Sequence, residues 1–151
     1  MSDPSGPRRV SRTAVVSATP ERVFALLADP RRHTELDGSG TVHGQVTGPE
    51  RLSLGAQFGM SMSWHGVPYR IHNTVVQFEE GRLIAWRHFH RHVWRWELTA
   101  VEVGTSVTET FDWGPSLAPW LLELARYPAL NAHGMEKTLV RLQERFVGTT
   151  P

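Results

Sequence analysis

The spacing of apolar residues changes twice along the chain and divides it into three parts. Val10–Val16 alternates as a strand does. In the segment that follows, Thr19 suits an N-cap, Pro20 the first helical position and Glu21 the positive end of the helix dipole. Val23, Phe24, Leu26 and Leu27 complete an apolar stripe at helical spacing, and Asp29-Pro30 ends that helix and opens a second short one through Leu36. From Gly38 to Trp113 the period is two. Thr41–Val46, Phe58–Trp64, Tyr69–Phe78, Arg82–His88, Arg91–Val101 and Ser106–Trp113 read as six strands joined by short turns such as Glu79-Glu-Gly81, the mark of an antiparallel meander. Helical spacing then returns. Trp120, Leu121 and Leu124 share a face after a possible N-cap at Ser116, Pro128 interrupts or kinks the pattern, and Met135, Leu139, Leu142 and Phe146 repeat at four, three and four. One half-apolar sheet needs a cover, and only the C-terminal helix is long enough to supply it. The expected fold is α+β: a curved antiparallel β-sheet wrapped around a long C-terminal α-helix, with two short helices after strand 1.

Composition narrows the function classes. The 151 residues suit one domain over 10–147, with flexible tails at 1–9 and 148–151. Sixteen Lys and Arg face fifteen Asp and Glu, which argues against a protein built to coat nucleic acid. Cysteine is absent, which excludes disulfides and thiolate chemistry, and Lys137 is the sole lysine. No secretory leader and no run long enough for a membrane helix is visible, so a cytoplasmic location with no integral membrane part is expected. The six Trp and four Met are more adaptable apolar surface than one small core usually requires.

Several stretches carry a resemblance. Thr19-Pro-Glu-Arg-Val-Phe24, Leu27-Ala-Asp-Pro30, Gly55-Ala-Gln-Phe58, Val75-Val-Gln-Phe-Glu79, Ile84-Ala-Trp86, Trp94-Arg-Trp-Glu-Leu98 and Gly104-Thr-Ser-Val-Thr-Glu-Thr110 are similar to the START-like superfamily, also called SRPBCC or Bet v 1-like. Over residues 10–146 the resemblance implies a helix-grip fold with a cavity between sheet and long helix for a small hydrophobic molecule. The superfamily holds ligand carriers, polyketide cyclases and dehydratases, chaperone regulators and toxin partners, so the fold does not settle the function.

The expected ligand-binding wall is Phe58, Met60, Met62, Trp64, Trp94, Trp96, Phe111 and Trp113, lidded by Trp120, Leu124, Met135 and Leu139. His72 and Glu109 are candidates for an acid–base pair, with Asp112 an alternative carboxylate. His88, His90 and His92 have the spacing of metal ligands, but they fall at a turn without an orienting carboxylate and read as a solvated hairpin tip. Arg70, Arg87 and Arg95 are expected to pair with Glu79 and Glu97 on the outer sheet face, and Arg8, Arg9 and Arg12 to form a small solvated patch. No nucleophile motif or nucleotide-binding loop is present, and no metal or cofactor is expected. A non-enzymatic carrier or sensor of a lipid, polyketide or aromatic metabolite heads the list. A cyclase or dehydratase comes second and a protein-interaction module third; the ligand and the oligomeric state stay open.

Overall fold

The computed structural model describes residues 8–36, 42–88 and 91–147, apart from the side chains of 42–45, Met62 and Trp64. The expected tails at 1–7 and 148–151, the turn at 38–40 and His90 lie outside the described residues.

Strand β1 (Arg9–Val16) leads into helix α1 (Pro20–Leu27), a 3-10 turn (Pro30–Arg32) and a single-turn helix α2 (His33–Leu36). Strands β2 (Val42–Thr47), β3 (Gln57–Trp64), β4 (Val67–Glu79), β5 (Leu83–His88), β6 (Val93–Val101) and β7 (Gly104–Asp112) follow, then α3 (Pro119–Leu124) and α4 (Tyr127–Arg145). One antiparallel sheet runs β1-β7-β6-β5-β4-β3-β2. The short helices carry the chain from one edge of the sheet to the other. The helix-grip fold is therefore as expected, and bulges at Val42/Val46 in β2 and Val75/Gln77 in β4 help the sheet curve.

Local signals acted as their chemistry requires. The Thr19 hydroxyl accepts from the Arg22 amide at 3.4 Å, and the Asp29 carboxylate accepts from the Arg31 amide at 3.1 Å. Val23, Phe24, Leu26 and Leu27 are all buried on α1. On α4 the inward stripe is Ala132, Met135, Thr138, Leu139 and Leu142. α4 packs mainly along β1, with a lighter contact to β7. At the β6–β7 turn Gly104 has φ +147°, and a Cβ there would stand 2.1 Å from the Val16 carbonyl oxygen.

Several expectations need correction. The C-terminal lid is two helices, because Arg126 adopts a left-handed conformation (φ 58°) and separates α3 from α4. Pro128 does not interrupt a helix; it lies in the first turn of α4, where an absent N–H costs nothing. Ser116 does not cap α3, which begins after Ala118 without a side-chain cap. The N-terminal arginines are ion-paired: Arg8 to Glu123 at 2.8 Å, Arg9 to Asp112 at 2.9 Å and Arg12 to Glu136 at 2.9 Å. They tie β1 to α3, β7 and α4, and Arg9 belongs to β1, not to a tail.

Candidate functional site

Register decides which residues share the concave face. Val10, Phe111, Trp94 and Trp86 form one row across β1, β7, β6 and β5, and Arg12, Glu109, Trp96 and Ile84 form the next. Asn73 on β4 stands between Phe58 on β3 and His88 on β5. These positions face the helices.

The buried apolar residues form two clusters. The larger runs from α1 and α2 to the C-terminal half of α4 and includes Phe58, Met60, Trp86, Trp96 and Leu139. The smaller is Phe111, Trp113 and Met135, with Val10, Leu122 and Tyr127 against it. Trp94 packs on both, with its ring 4.7 Å from Phe111. Polar side chains are buried beside the smaller cluster. The His92 ring stacks on His88 at 4.4 Å and meets Phe111 edge-on at 5.3 Å and Tyr127 at 6.2 Å. Burial raises the Tyr127 phenol pKa, and the nearby Tyr69 phenol, itself raised by burial, adds to the effect. Tyr69 on β4 and Tyr127 on α4 thus approach each other at this end of the molecule.

Three buried donors in this interior have no hydrogen-bond partner among the described residues: Asn73 Nδ2, Trp96 Nε1 and Asn131 Nδ2. Asn73 and Trp96 are only 2% and 4% exposed. Glu109, 5% exposed, sits in the row between Arg12 and Trp96. His33 fills the far end, stacked on Trp86, its Nε2–H donating to the Leu27 carbonyl at 2.7 Å.

The structure separates the sequence-derived candidates. Phe58, Met60, Trp94, Trp96, Phe111, Trp113, Met135 and Leu139 are inward, and Met62 and Trp64 are strand residues whose side chains lie outside the description. Trp120 and Leu124 are 63% and 76% exposed: α3 turns its apolar face to solvent and buries none of its residues. His72 is on the outer face, because Ile71, Asn73 and Val75 take the inward positions of β4. It cannot pair with inward Glu109. There it lines an open cleft of about 480 Å³ with Thr74, Arg87, His88, Arg91 and Pro115. The hairpin tip also differs from expectation, since His88 and His92 are buried. Arg91 turns with φ 73° and the His88 amide donates to the His92 carbonyl at 2.9 Å, folding both rings inward. Alternation with Ile84 and Trp86 already placed His88 on the inner face. On the outer face Arg95 bonds Gln77 and Arg70 bonds Thr47, while Glu79 pairs with Arg82, so the expected arginine–glutamate row is not formed. Asp112 is taken by Arg9. Asn73, Tyr127 and Asn131 were not singled out from sequence, although each sits at an inward position of its strand or helix pattern.

Residues 7–147 match the family model described as polyketide cyclase / dehydrase and lipid transport. The chain belongs to that family. It is 41% identical over 147 residues to the uncharacterized protein Rv0088 of Mycobacterium tuberculosis (strain ATCC 25618 / H37Rv), covering 94% of this chain and 66% of that protein. A second relative, the uncharacterized protein MT0096 of strain CDC 1551 / Oshkosh, is 40% identical over the same length and coverage. The chain thus spans just under two thirds of the curated relatives it matches. Among solved structures, MLL2253 of Mesorhizobium loti superposes with TM-score 0.72 at 17% identity, over 95% of this chain and 100% of that one. The polyketide cyclase-like protein Cgl2372 of Corynebacterium glutamicum gives 0.65 at 18%, over 91% and 90%. At such identities the likeness concerns the fold. No helix among the described residues is long and apolar enough to cross a membrane, and among them no group of three or more His, Asp or Glu is placed to hold a metal ion.

Proposed function

We propose that this domain binds a small, largely apolar molecule between the concave sheet and α4, as a carrier or sensor. The observation that carries the reading is the divided core: aromatic and Met side chains in two clusters, with His88, His92, Asn73 and Glu109 buried and Asn131 half-buried beside them. A few polar side chains set among aromatic and apolar ones are the usual make-up of a site that orients a small molecule. Family membership supports the same reading.

The test is a titration with fatty acids, sterols and aromatic polyketides, read by intrinsic Trp fluorescence and melting temperature. Binding is expected to quench Trp94 and Trp96 and to raise the melting temperature. If the whole panel leaves both signals unchanged, the carrier reading is wrong.

A specific observation favours a cyclase or dehydratase as the second reading: the buried Glu109 carboxyl on the concave face, a general base that could reach a substrate held there. Glu109→Gln should then abolish turnover and keep binding. Loss of both would point to a structural carboxylate.

A further inference from the structure

Nearly every arginine of this chain has a partner for its guanidinium. Arg8, Arg9, Arg12, Arg31, Arg51 and Arg82 pair with carboxylates, as Arg32 and Arg145 do with Glu35. Arg70 bonds Thr47 and Arg95 bonds Gln77. Among the described residues, only the side chains of Arg87, Arg91 and Arg126 have no partner. Two of these line one feature, the open cleft of about 480 Å³ that also holds His72, Thr74, His88 and Pro115.

The register explains the convergence. Thr74 on β4 is directly opposite Arg87 on β5, and His72 lies two residues along β4 on the same outer face. Arg91 comes from the turn before β6, with φ 73° and its amide donating to the His88 carbonyl at 2.8 Å. A left-handed backbone suits glycine or asparagine better than a long side chain, so an arginine there is carried at some strain. The side chains of His72 and Thr74 are also without hydrogen bonds among the described residues. Four side chains able to donate thus meet at one cleft, and the protein engages none of them. No carboxylate is among the lining residues. The one in the same row, Asp112 beyond Val93, lies two strand spacings or about 10 Å from Arg87 and is already held by Arg9 and the Gly114 amide.

Guanidinium forks match phosphate oxygens in paired hydrogen bonds, and an imidazole and a hydroxyl add single donors. A carboxylate has two oxygens and fully engages one fork, whereas a phosphate monoester has three terminal oxygens to share between two. The volume is in the usual range of small-molecule sites, about 300–1,000 Å³, and exceeds a bare phosphate. Apart from Pro115 the lining residues are polar, which suits a polar remainder. We propose that this cleft binds the phosphate monoester of a small polar molecule, through Arg87 and Arg91 with His72 and Thr74 as further donors. The cleft opens on the outer side of the sheet, so the site is independent of what the apolar interior holds.

The test is calorimetric titration of the full chain with glucose 6-phosphate and adenosine monophosphate at constant ionic strength, with glucose and adenosine as phosphate-free controls. At least one ester is expected to bind, and neither control. Arg87→Gln and Arg91→Gln, both at exposed positions, should each weaken binding about tenfold. Arg126→Gln, the third unpartnered arginine, lies outside the cleft and should leave it unchanged. Sedimentation with phosphatidylcholine vesicles, with and without phosphatidic acid, separates the sources of the phosphate. Binding confined to the phosphatidic acid vesicles, and lost in both cleft variants, keeps the phosphate site and assigns it to a lipid headgroup. Absence of binding in every arm overturns the proposal. So does affinity that survives both cleft variants, or an equal loss in Arg126→Gln, which would mean diffuse charge attraction.

Discussion

Acidification should weaken this fold through His33. The ring is 8% exposed, stacked on Trp86 at 5.0 Å and edge-on to Phe58 at 5.4 Å. Burial lowers its pKa from the ordinary 6.5, and the Leu27 carbonyl and the Asp29 charge offset only part of that. The folded state therefore keeps the ring neutral at a pH where the unfolded chain already binds a proton. The contribution is fully present above about pH 6.5 and is lost as pH falls from there through the folded pKa. Each unit of depression is worth about 1.4 kcal/mol, or roughly 3–6 °C of melting temperature for a domain of this size. The assay is thermal unfolding by circular dichroism from pH 8 to pH 5, for the wild type and His33→Gln, whose amide can still donate to Leu27 and does not titrate. The advantage of the wild type should shrink steadily below pH 6.5. Parallel curves for the two proteins would refute the argument, because every other titrating group is common to both.

Other substitutions test the packing. Gly104→Ala drives a methyl group into the Val16 carbonyl and should cost at least about 2 kcal/mol in urea unfolding. Leu142→Ala, at a fully buried position, should cost about 2–5 kcal/mol, whereas Leu124→Ala on the exposed face of α3 should stay within about 0.5 kcal/mol. Comparable losses at the two leucines would mean that α3 is covered in solution. Thr19→Ala removes a cap whose hydrogen bond is long at 3.4 Å, so the loss should lie near the low end, about 0.5 kcal/mol.

Elements whose cause is local were legible. Thr19, Pro20 and Asp29 mark their helix ends by side-chain chemistry within three residues, and alternation in Phe58–Trp64 needs nothing beyond the strand itself. The parity of β4 was legible too: Ile71 and Val75 inward require His72 outward, which removes it from any pair with Glu109. The break at Arg126 was not, because a left-handed arginine has no sequence signature, and Pro128 fits a helix start as well as a helix stop. Nor could helical spacing say which apolar face is covered, and Trp120 and Leu124 took the uncovered one. The burial of His88 and His92 depends on where a hairpin closes against Phe111 and Tyr127, residues distant in sequence. The ties from Arg8 to Glu123 and from Arg12 to Glu136 are non-local in the same sense.

The division of the core also bears on how binding would be felt by the fold. Val16, Val23, Ile84, Val107 and Leu142, all without exposure, belong to the larger cluster, so α1, the sheet centre and the C-terminal half of α4 hold together by themselves. Among the described residues the smaller cluster holds three buried apolar residues, and it joins the first through Trp94. A ligand seated there at a hundredfold excess over its Kd should add about 2.7 kcal/mol to global stability, but it adds contacts only on that side. Amide exchange should therefore slow most in the N-terminal half of α4, from Tyr127 to Met135, and at the start of β4 around Tyr69, where local opening is the easier route. Protection that rose equally in α1 would locate the ligand in the larger cluster and place the binding site at the other end of the sheet.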